Sequence, residues 1–230
     1  ISSALWRDRE GRVGFQGTIR DVTEQKEAEA RLQATLGNLR KAVEAIIKTL
    51  SLAVEMKDPY TAGHQRRVSH LCRAIAEQMD LPPDRGEGVA MAALMHDIGK
   101  IGLPTEILSK PKKLTPIECD LVRMHPGLAV EILQDIEFPW PVATIVAQHH
   151  ERMDGSGYPG GLRGDEILHE ARILAVADVV EAMASYRPYR PALGVEAALE
   201  EIEQRRGVLY DPDVADACLR LFREKRYRMT

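Results

Sequence analysis

Apolar residues recur at helical spacing along most of the chain. In seven segments they fall at intervals of three or four positions, which is typical of amphipathic helices. These segments are 68–79, 89–95, 128–133, 142–146, 173–180, 195–202 and 214–222. Thr115-Pro116-Ile117-Glu118 has the pattern of a helix start, with Thr115 as the N-cap and Glu118 three residues later. We therefore expect an all-α fold.

One short segment near the N-terminus follows a different pattern. Residues 5–19 alternate between apolar and polar side chains around Glu10-Gly11, which predicts a β-hairpin. A two-stranded hairpin is marginally stable alone, and the chain begins at Ile1 rather than at methionine. We therefore expect the tail of a domain from a longer polypeptide. Residues 17–26 resemble the last strand and exit of a PAS sensor domain.

The first predicted helix carries a heptad pattern, which we call the seam. Its apolar residues are spaced by four, three, four, three and four positions, which favours a parallel two-helix coiled coil. Such a coiled coil forms a homodimer and connects an upstream sensor domain to the following domain. The alternative is that the seam docks on the chain's own globular part. Leu36, Val43 and Leu50 occupy position a, and Leu32, Leu39 and Ile46 occupy position d.

Composition and charge exclude several classes of protein. Of the 230 residues, 44% are hydrophobic, and 31 Lys and Arg against 35 Asp and Glu give a net charge of -4. This balance gives no electrostatic reason to expect duplex nucleic acid as a partner. The longest apolar run, 89–95, is too short for a membrane span of about 20 residues. No basic segment followed by an apolar one is visible at the start of the sequence, so we expect no signal peptide there. Three scattered cysteines form no disulfide framework, so we expect a cytoplasmic location.

Histidine and aspartate occur at five places within or beside apolar stretches. Burial of a carboxylate or an imidazole costs several kcal/mol unless the group is paired or bound to a metal. One such residue alone is best interpreted as a satisfied core polar group, whereas five together indicate a polynuclear metal centre in a helical bundle. Imidazole and carboxylate without thiolate favour iron, manganese, nickel or zinc. The five places are His64, His96-Asp97, His125, His149-His150 and Asp178.

Two metal ions about 3.5–4 Å apart polarise a phosphoryl oxygen and hold a hydroxide in line for attack on phosphorus. The ordered motifs of the chain are His96-Asp97-Ile98-Gly99-Lys100, His125, His149-His150, Asp154-Gly155-Ser156-Gly157-Tyr158-Pro159 and Asp178. Together with Asp58-Pro59-Tyr60-Thr61-Ala62-Gly63-His64 and Arg187-Pro188-Tyr189-Arg190, they resemble the HD-GYP family of metal-dependent phosphodiesterases. The resemblance covers residues 45–230. It implies a helical HD-superfamily domain that hydrolyses cyclic di-GMP to pGpG or GMP by attack of a metal-bridging hydroxide.

The resemblance also implies roles for individual residues. Two divalent ions, most simply iron or manganese with nickel or zinc as further candidates, share Asp97 as a bridging ligand. One ion takes His64, His96, Asp97 and Asp178, and the other takes Asp97, His125, His149 and His150. Lys100 is expected to meet a phosphate oxygen. The implied substrate contacts are Lys100, Asp154, Gly157, Tyr158, Arg187 and Arg190.

Some of these roles have alternatives. Arg187 and Arg190 either clamp the second phosphate or stack on guanine, or they are solvated loop charges. Tyr158 either contacts substrate or packs. Some family members carry Glu at the position of Tyr60 and bind a third metal, and since tyrosine cannot replace that carboxylate, we expect two ions.

The predicted domain organisation is a PAS-like end over 1–22, a coiled-coil signalling helix over 23–44 and an HD-GYP domain over 45–230. Two other functions remain open at this point. One is another HD-type phosphohydrolase that acts on nucleotides or guanosine tetraphosphate. The other is a receptor that binds cyclic di-GMP without hydrolysing it, but the sequence lacks none of the seven implied ligands.

Overall fold

A computed structural model of the protein describes residues 2–18, 21–58, 63–110, 112–185 and 194–229. Contacts between residues divide the chain into two units, Ile1–Ile46 and Ile47–Thr230. Three residues with predictions attached to them, Tyr60, Arg187 and Arg190, lie outside the described residues. In the described part, no helix has both the length and the apolar character that a membrane span requires.

The first unit begins with the expected β-hairpin. Strands β1 (Ser2–Arg7) and β2 (Val13–Thr18) pair antiparallel, with Arg7 opposite Val13. Oδ1 of Asp8 accepts hydrogen bonds from the backbone N–H groups of Glu10 and Arg12, each at 2.9 Å. Between them Gly11 has φ of +82°, a left-handed conformation that glycine adopts without strain. The hairpin is confirmed, and its relation to a PAS domain stays a prediction.

Helix α1 (Thr23–Lys57) follows and starts at residue 23, where the signalling helix is predicted to begin. It is continuous through the predicted boundary after residue 44. All six residues of the seam are solvent-exposed, with exposed fractions between 43% and 60%. At other positions of the same helix, Ile47 and Val54 are buried in the core of the second unit. The apolar side chains of the seam and these two residues therefore differ in their exposure to solvent.

The second unit is a bundle of helices, which confirms the all-α fold. The bounds are α2 (His64–Gln78), α3 (Pro83–Met95), α4 (Thr105–Leu108), α5 (Pro116–Val122), α6 (His125–Leu133), α7 (Val142–Gln148), α8 (His169–Ala184), α9 (Val195–Gln204) and α10 (Pro212–Arg223). Helix α8 is buried on nearly all sides and packs against α2, α3, α7, α9 and α10. Its place is therefore the centre of the bundle.

Two helix ends show how far the sequence signals reach. The capping box at α5 is present, because Thr115 and Glu118 each accept a hydrogen bond from the other's backbone N–H. Helix α6 begins at His125, three residues before the predicted segment 128–133, and has Pro126 as its second residue. Proline is tolerated in a first helical turn because those N–H groups have no helical acceptor. His125 is therefore part of the helix.

Candidate metal centre

The side chains at all five predicted places come together in the second unit. Three overlapping groups each place their ligand atoms within 4.8 Å of one another, so they are able to bind metal. His96 and His149 each belong to two groups, and this links the three into one cluster. The groups are His64, His96 and Asp178; His96, Asp97 and His149; and His125, His149 and His150.

Helix ends position most of these side chains. His64 and His125 are the first residues of α2 and α6. His96 follows the last residue of α3, and His149 follows the last residue of α7. Asp178 alone lies inside a helix, on the central α8. Because these five elements converge, residues far apart in sequence become neighbours.

Distances within the cluster define its shape. The two carboxylate oxygens of Asp97 lie 3.6 Å from Nε2 of His96 and 3.6 Å from Nε2 of His125, so this carboxylate stands between the two rings. Oδ1 of Asp178 lies 3.2 Å from Nε2 of His64 and 3.8 Å from Nε2 of His96. Five imidazoles and two carboxylates without a thiolate form a donor set that suits a divalent transition metal.

Three of the histidines are anchored in the same way. Nδ1 of His96 donates a hydrogen bond to the carbonyl of Ala93 at 2.7 Å. His125 and His149 make the equivalent contact with the carbonyls three residues before them, at 2.8 Å and 2.6 Å. A carbonyl can only accept, so Nδ1 carries the proton and Nε2 keeps its lone pair for a metal.

Burial and neighbouring charges give these groups the protonation states that metal ligands need. Burial lowers the pKa of His149 well below its usual range and lowers that of His150 to about 3. Burial acts to raise the pKa of Asp97, but the nearby Lys100 and histidines outweigh it, and the pKa lies well below its usual range. His149, His150 and Asp97 are therefore ready to coordinate a cation at neutral pH, since metals bind neutral imidazole and ionised carboxylate.

His64 differs from the other histidines. Burial acts to lower its pKa, but hydrogen bonds with Asp178 and Glu181 outweigh that effect and raise the pKa to about 9. Without a metal, the ring is protonated at neutral pH. A metal at this position therefore displaces a proton.

A 3₁₀ turn, Ile98–Gly102, fixes the distance between Asp97 and His125. A Cβ atom at Gly99 would lie 1.9 Å from the carbonyl oxygen of His125, so only glycine lets this turn approach the start of α6. At the end of the turn, Nζ of Lys57 donates to the carbonyls of Ile101 and Leu103, at 2.6 Å and 2.7 Å. Sequence patterns did not single out Lys57, because its partners are distant in the chain.

Lys100 points back into the cluster from this turn. Its Nζ donates to Oδ2 of Asp97 at 2.8 Å and to Oδ2 of Asp58 at 3.3 Å. The side chain is largely buried, with about a tenth of its surface exposed. The predicted phosphate-binding lysine therefore lies beside the carboxylate that the resemblance assigns to both metals.

The glycine-rich loop over 154–161 is held by Glu151, a residue that the sequence patterns did not single out. Glu151 is buried, and its two oxygens accept hydrogen bonds from the N–H groups of Gly160 at 2.6 Å and Leu162 at 3.0 Å. At Gly157 a Cβ atom would lie 2.4 Å from Cα of Glu151. The loop therefore packs directly on the chain segment that carries the histidine pair. A charged residue directly after that pair was the available signal.

Tyr158 is the loop residue that reaches the cluster. Its ring lies 4.7 Å from that of His150, centre to centre, and the planes differ by 30°. On its other side, the guanidinium of Arg123 lies 5.5 Å from the ring centre. Asp154 is exposed instead, and its carboxylate accepts hydrogen bonds from Ser156. The structure thus brings Tyr158 to the cluster and uses Asp154 to shape the loop.

Comparison with known proteins agrees with this arrangement. The cyclic di-GMP phosphodiesterase response regulator RpfG of Xanthomonas campestris is 41% identical over 84% of this chain and 51% of its own length. A cyclic di-GMP phosphodiesterase of Thermotoga maritima is 41% identical over 78% of this chain and 49% of its own length. This chain thus spans about half the length of these relatives.

A solved structure and a family model extend the comparison. A structure of a cyclic GMP-AMP specific phosphodiesterase from Vibrio cholerae is 32% identical, covers 80% of this chain and 42% of that one, and has a TM-score of 0.51. The model of the HD domain family matches residues 48–214. That match includes all seven side chains of the cluster. The chain belongs to the HD domain family.

Proposed function

We propose that this chain is a metal-dependent phosphodiesterase that hydrolyses cyclic di-GMP to pGpG or GMP. The observation that carries the proposal is the convergence of five imidazoles, four of them buried, and two buried carboxylates in one cluster. The names of the two cyclic di-GMP phosphodiesterase relatives support the substrate. The protein acts in the cytoplasm, where cyclic di-GMP is a bacterial second messenger.

Two divalent ions, iron or manganese with nickel or zinc as further candidates, fit this donor set. His64, His96 and Asp178 hold one ion, and His125, His149 and His150 hold the other. Asp97 serves both, since its two oxygens face different histidines. When bound, such a pair of ions supplies Lewis-acid activation of a phosphate ester and a nucleophile at neutral pH.

The chain's own side chains bind and orient the substrate. Lys100 presents an ammonium group beside Asp97, where it can pair with a phosphate oxygen. Tyr158 covers His150 and, with the rest of the loop that Glu151 holds, limits access of bulk water to the cluster. Arg187 and Arg190 grip the second phosphate or stack on guanine.

Two alternatives to this function remain specific enough to test. The Vibrio cholerae structure favours a mixed cyclic GMP-AMP substrate as the first alternative. The second is a cyclic di-GMP receptor without turnover. Hydrolysis is favoured over the receptor because no member of the seven-residue cluster is replaced by a side chain unable to coordinate.

The exposed seam of α1 supports a homodimer that links an upstream sensor to the enzyme. Six large apolar side chains at heptad spacing are exposed on one helix, and a coiled coil buries such a stripe. We propose that a PAS-like domain ends within 1–22, that 23–44 is the signalling helix and that 45–230 is the HD-GYP domain. Rotation or sliding of the coiled coil then changes the activity of the two domains.

Product analysis tests the proposed function. Protein loaded with Mn²⁺ or Fe²⁺ and protein treated with a chelator are incubated separately with cyclic di-GMP, cyclic GMP-AMP and guanosine tetraphosphate, and the products are identified by chromatography. We expect metal-dependent release of pGpG or GMP from cyclic di-GMP. Preferential cleavage of cyclic GMP-AMP or guanosine tetraphosphate would reassign the substrate. Tight binding of cyclic di-GMP without turnover by fully loaded protein would establish the receptor.

A further inference from the structure

One buried carboxylate beside the cluster is not among the seven predicted ligands. Glu181 lies on α8 one turn after Asp178, and only 1% of its surface is exposed. Its Oε2 contacts Nδ1 of His64 in a short hydrogen bond. Its Oε1 accepts hydrogen bonds from Nε of Arg67 at 2.7 Å and from Oγ of Ser185 at 2.5 Å. Every oxygen of this carboxylate is therefore in use, as burial of a charge requires.

The contact with His64 replaces an anchor that the other histidines take from their own chain. His96, His125 and His149 each donate Nδ1–H to the carbonyl three residues earlier. For Nδ1 of His64 the partner is instead the carboxylate of Glu181, a side chain from a different helix.

We propose that Glu181 is a positioning residue for the metal ligand His64. An ionised carboxylate can only accept, so the contact keeps the proton of His64 on Nδ1 and directs Nε2 towards Asp178, 3.2 Å away. Carboxylates that accept from a metal-bound imidazole also make the ring a stronger ligand. The inference rests on the proposed metal centre, and it assigns to Glu181 the affinity of the ion held by His64, His96 and Asp178.

Arg67 completes the arrangement. Both Nε and Nη2 of its guanidinium lie 2.7 Å from Oε1 of Glu181. This pairing holds the carboxylate of Glu181 in one orientation. It also leaves Oε2 to face His64. The ion pair therefore selects which oxygen meets the ring.

Glu181→Gln tests the inference with little change in size. Arg67 and Ser185 still require an acceptor, so the glutamine oxygen stays with them and its NH₂ group faces His64. A donor at this place disfavours the Nδ1–H tautomer and therefore competes with metal binding by Nε2. We expect Mn²⁺ affinity at one of the two sites to fall about 10- to 100-fold, as measured by chelator competition, while the other site keeps its affinity.

Glu170→Gln is the matched control. Glu170 lies on the same helix, is largely buried and pairs with an arginine, since Nε of Arg85 lies 2.7 Å from its Oε1. Its ion pair with Arg85 involves none of the seven side chains of the cluster. We expect Glu170→Gln to bind Mn²⁺ as the wild type does. Equal losses in both variants would indicate a general structural effect and overturn the assignment.

A spectroscopic readout separates this inference from the proposed function. In zinc-loaded protein with ¹⁵N-labelled histidine, NMR should show a proton on Nδ1 of His64 in the wild type and in Glu170→Gln, but not in Glu181→Gln. A wild-type protein without a proton on this nitrogen overturns the inference, even if Glu181→Gln fails to fold. Unchanged Mn²⁺ affinity in folded Glu181→Gln also overturns it. If the wild type binds no metal at all, the proposed function fails first.

Discussion

Two regions of this chain depart from the usual distribution of side chains. One exposes apolar groups to solvent, and the other buries ionisable groups. The seam of α1 exposes six large apolar residues. The cluster in the second unit gathers five imidazoles and two carboxylates, and all of them except the half-buried His150 are buried. Exposed apolar stripes indicate a missing protein surface, and buried polar clusters indicate a ligand or a full set of partners. The same principle therefore predicts a second helix in one region and metal ions in the other.

The two regions differ in how their side chains are stabilised without a partner. The buried carboxylates have internal cations or donors: Lys100 lies 2.8 Å from Asp97, and Nε2 of His64 lies 3.2 Å from Asp178. Exposed leucines contribute no hydrophobic free energy until another protein surface buries them. Each buried leucine then stabilises the complex by roughly 1.5–3 kcal/mol. The metal centre is thus expected to be largely formed before a metal binds, whereas the seam is expected to depend on protein concentration.

Asp97→Ala gives the largest expected effect on the buried region. The carboxylate stands between His96 and His125 and is assigned to both ions. We expect kcat/KM for cyclic di-GMP to fall at least about 100-fold, together with loss of tightly bound metal, measured by steady-state kinetics and elemental analysis. Asp165→Ala is the control, because Asp165 is fully exposed. Full activity in folded Asp97→Ala contradicts the assignment.

Charges in the seam give the largest expected effect on the exposed region. The double variant Leu39→Asp with Ile46→Asp places two carboxylates from each chain in the proposed interface, at a cost of several kcal/mol each. We expect a dimer to become a monomer in light scattering at micromolar concentration. Asn38→Asp with Lys41→Asp, on the same helix but outside the seam, should remain dimeric. An unchanged mass in the first variant ends the coiled-coil interpretation.

Glu151→Ala sharpens the comparison, because Glu151 is buried and ionisable but binds backbone rather than metal. Loss of its hydrogen bonds to Gly160 and Leu162 should lower the free energy of unfolding by roughly 1.5–3 kcal/mol. It should also raise KM about tenfold, since the loop with Tyr158 is no longer held. Metal content should not change. Glu166→Ala is the control, because this exposed residue accepts from the N–H of Arg163 in the same loop.

Acid should destabilise the metal-free protein through its buried histidines. The pKa values of His149 and His150 are lowered in the folded state, whereas the unfolded chain binds protons near pH 6.5. Stability is therefore present above pH 6.5 and is lost as the pH falls, by up to about 1.4 kcal/mol per pH unit for each histidine. His64 adds no slope there, because its folded pKa of about 9 leaves it protonated in both states.

Urea unfolding of chelated protein between pH 6 and pH 4 measures this slope. We expect His150→Gln to reduce the slope of stability against pH, since one histidine with a lowered pKa is removed. His70→Gln, at an exposed position, should leave the wild-type slope unchanged. A flat profile in the wild type contradicts the description of the buried imidazoles as neutral.

The features that the sequence predicted correctly depend on residues that lie close together along the chain. The hairpin at Glu10-Gly11, the seam and the capping box at Thr115 follow from periodicity and from residues a few positions apart. The helical segment predicted over 89–95 ends at Met95, as α3 does, and His96-Asp97 follow it. The chain turns there, and Gly99 lies close to the carbonyl of His125.

The residues that support the cluster could not be found in this way. Lys57, Glu151 and Glu181 each bind groups that are distant in sequence or lie on the backbone of a loop. A lone charged residue has no periodic signal and is most often exposed. Their roles depend on distances between helices, which the pattern of side chains along the chain does not contain.

The location of bound metal tests the central claim most directly. Crystals of the protein loaded with Mn²⁺ are measured at a wavelength where manganese scatters anomalously. We predict two anomalous peaks within coordination distance of Asp97, one also reached by His64 and Asp178, the other by His125 and His150. Peaks elsewhere on the protein, with none among these side chains, would contradict the account.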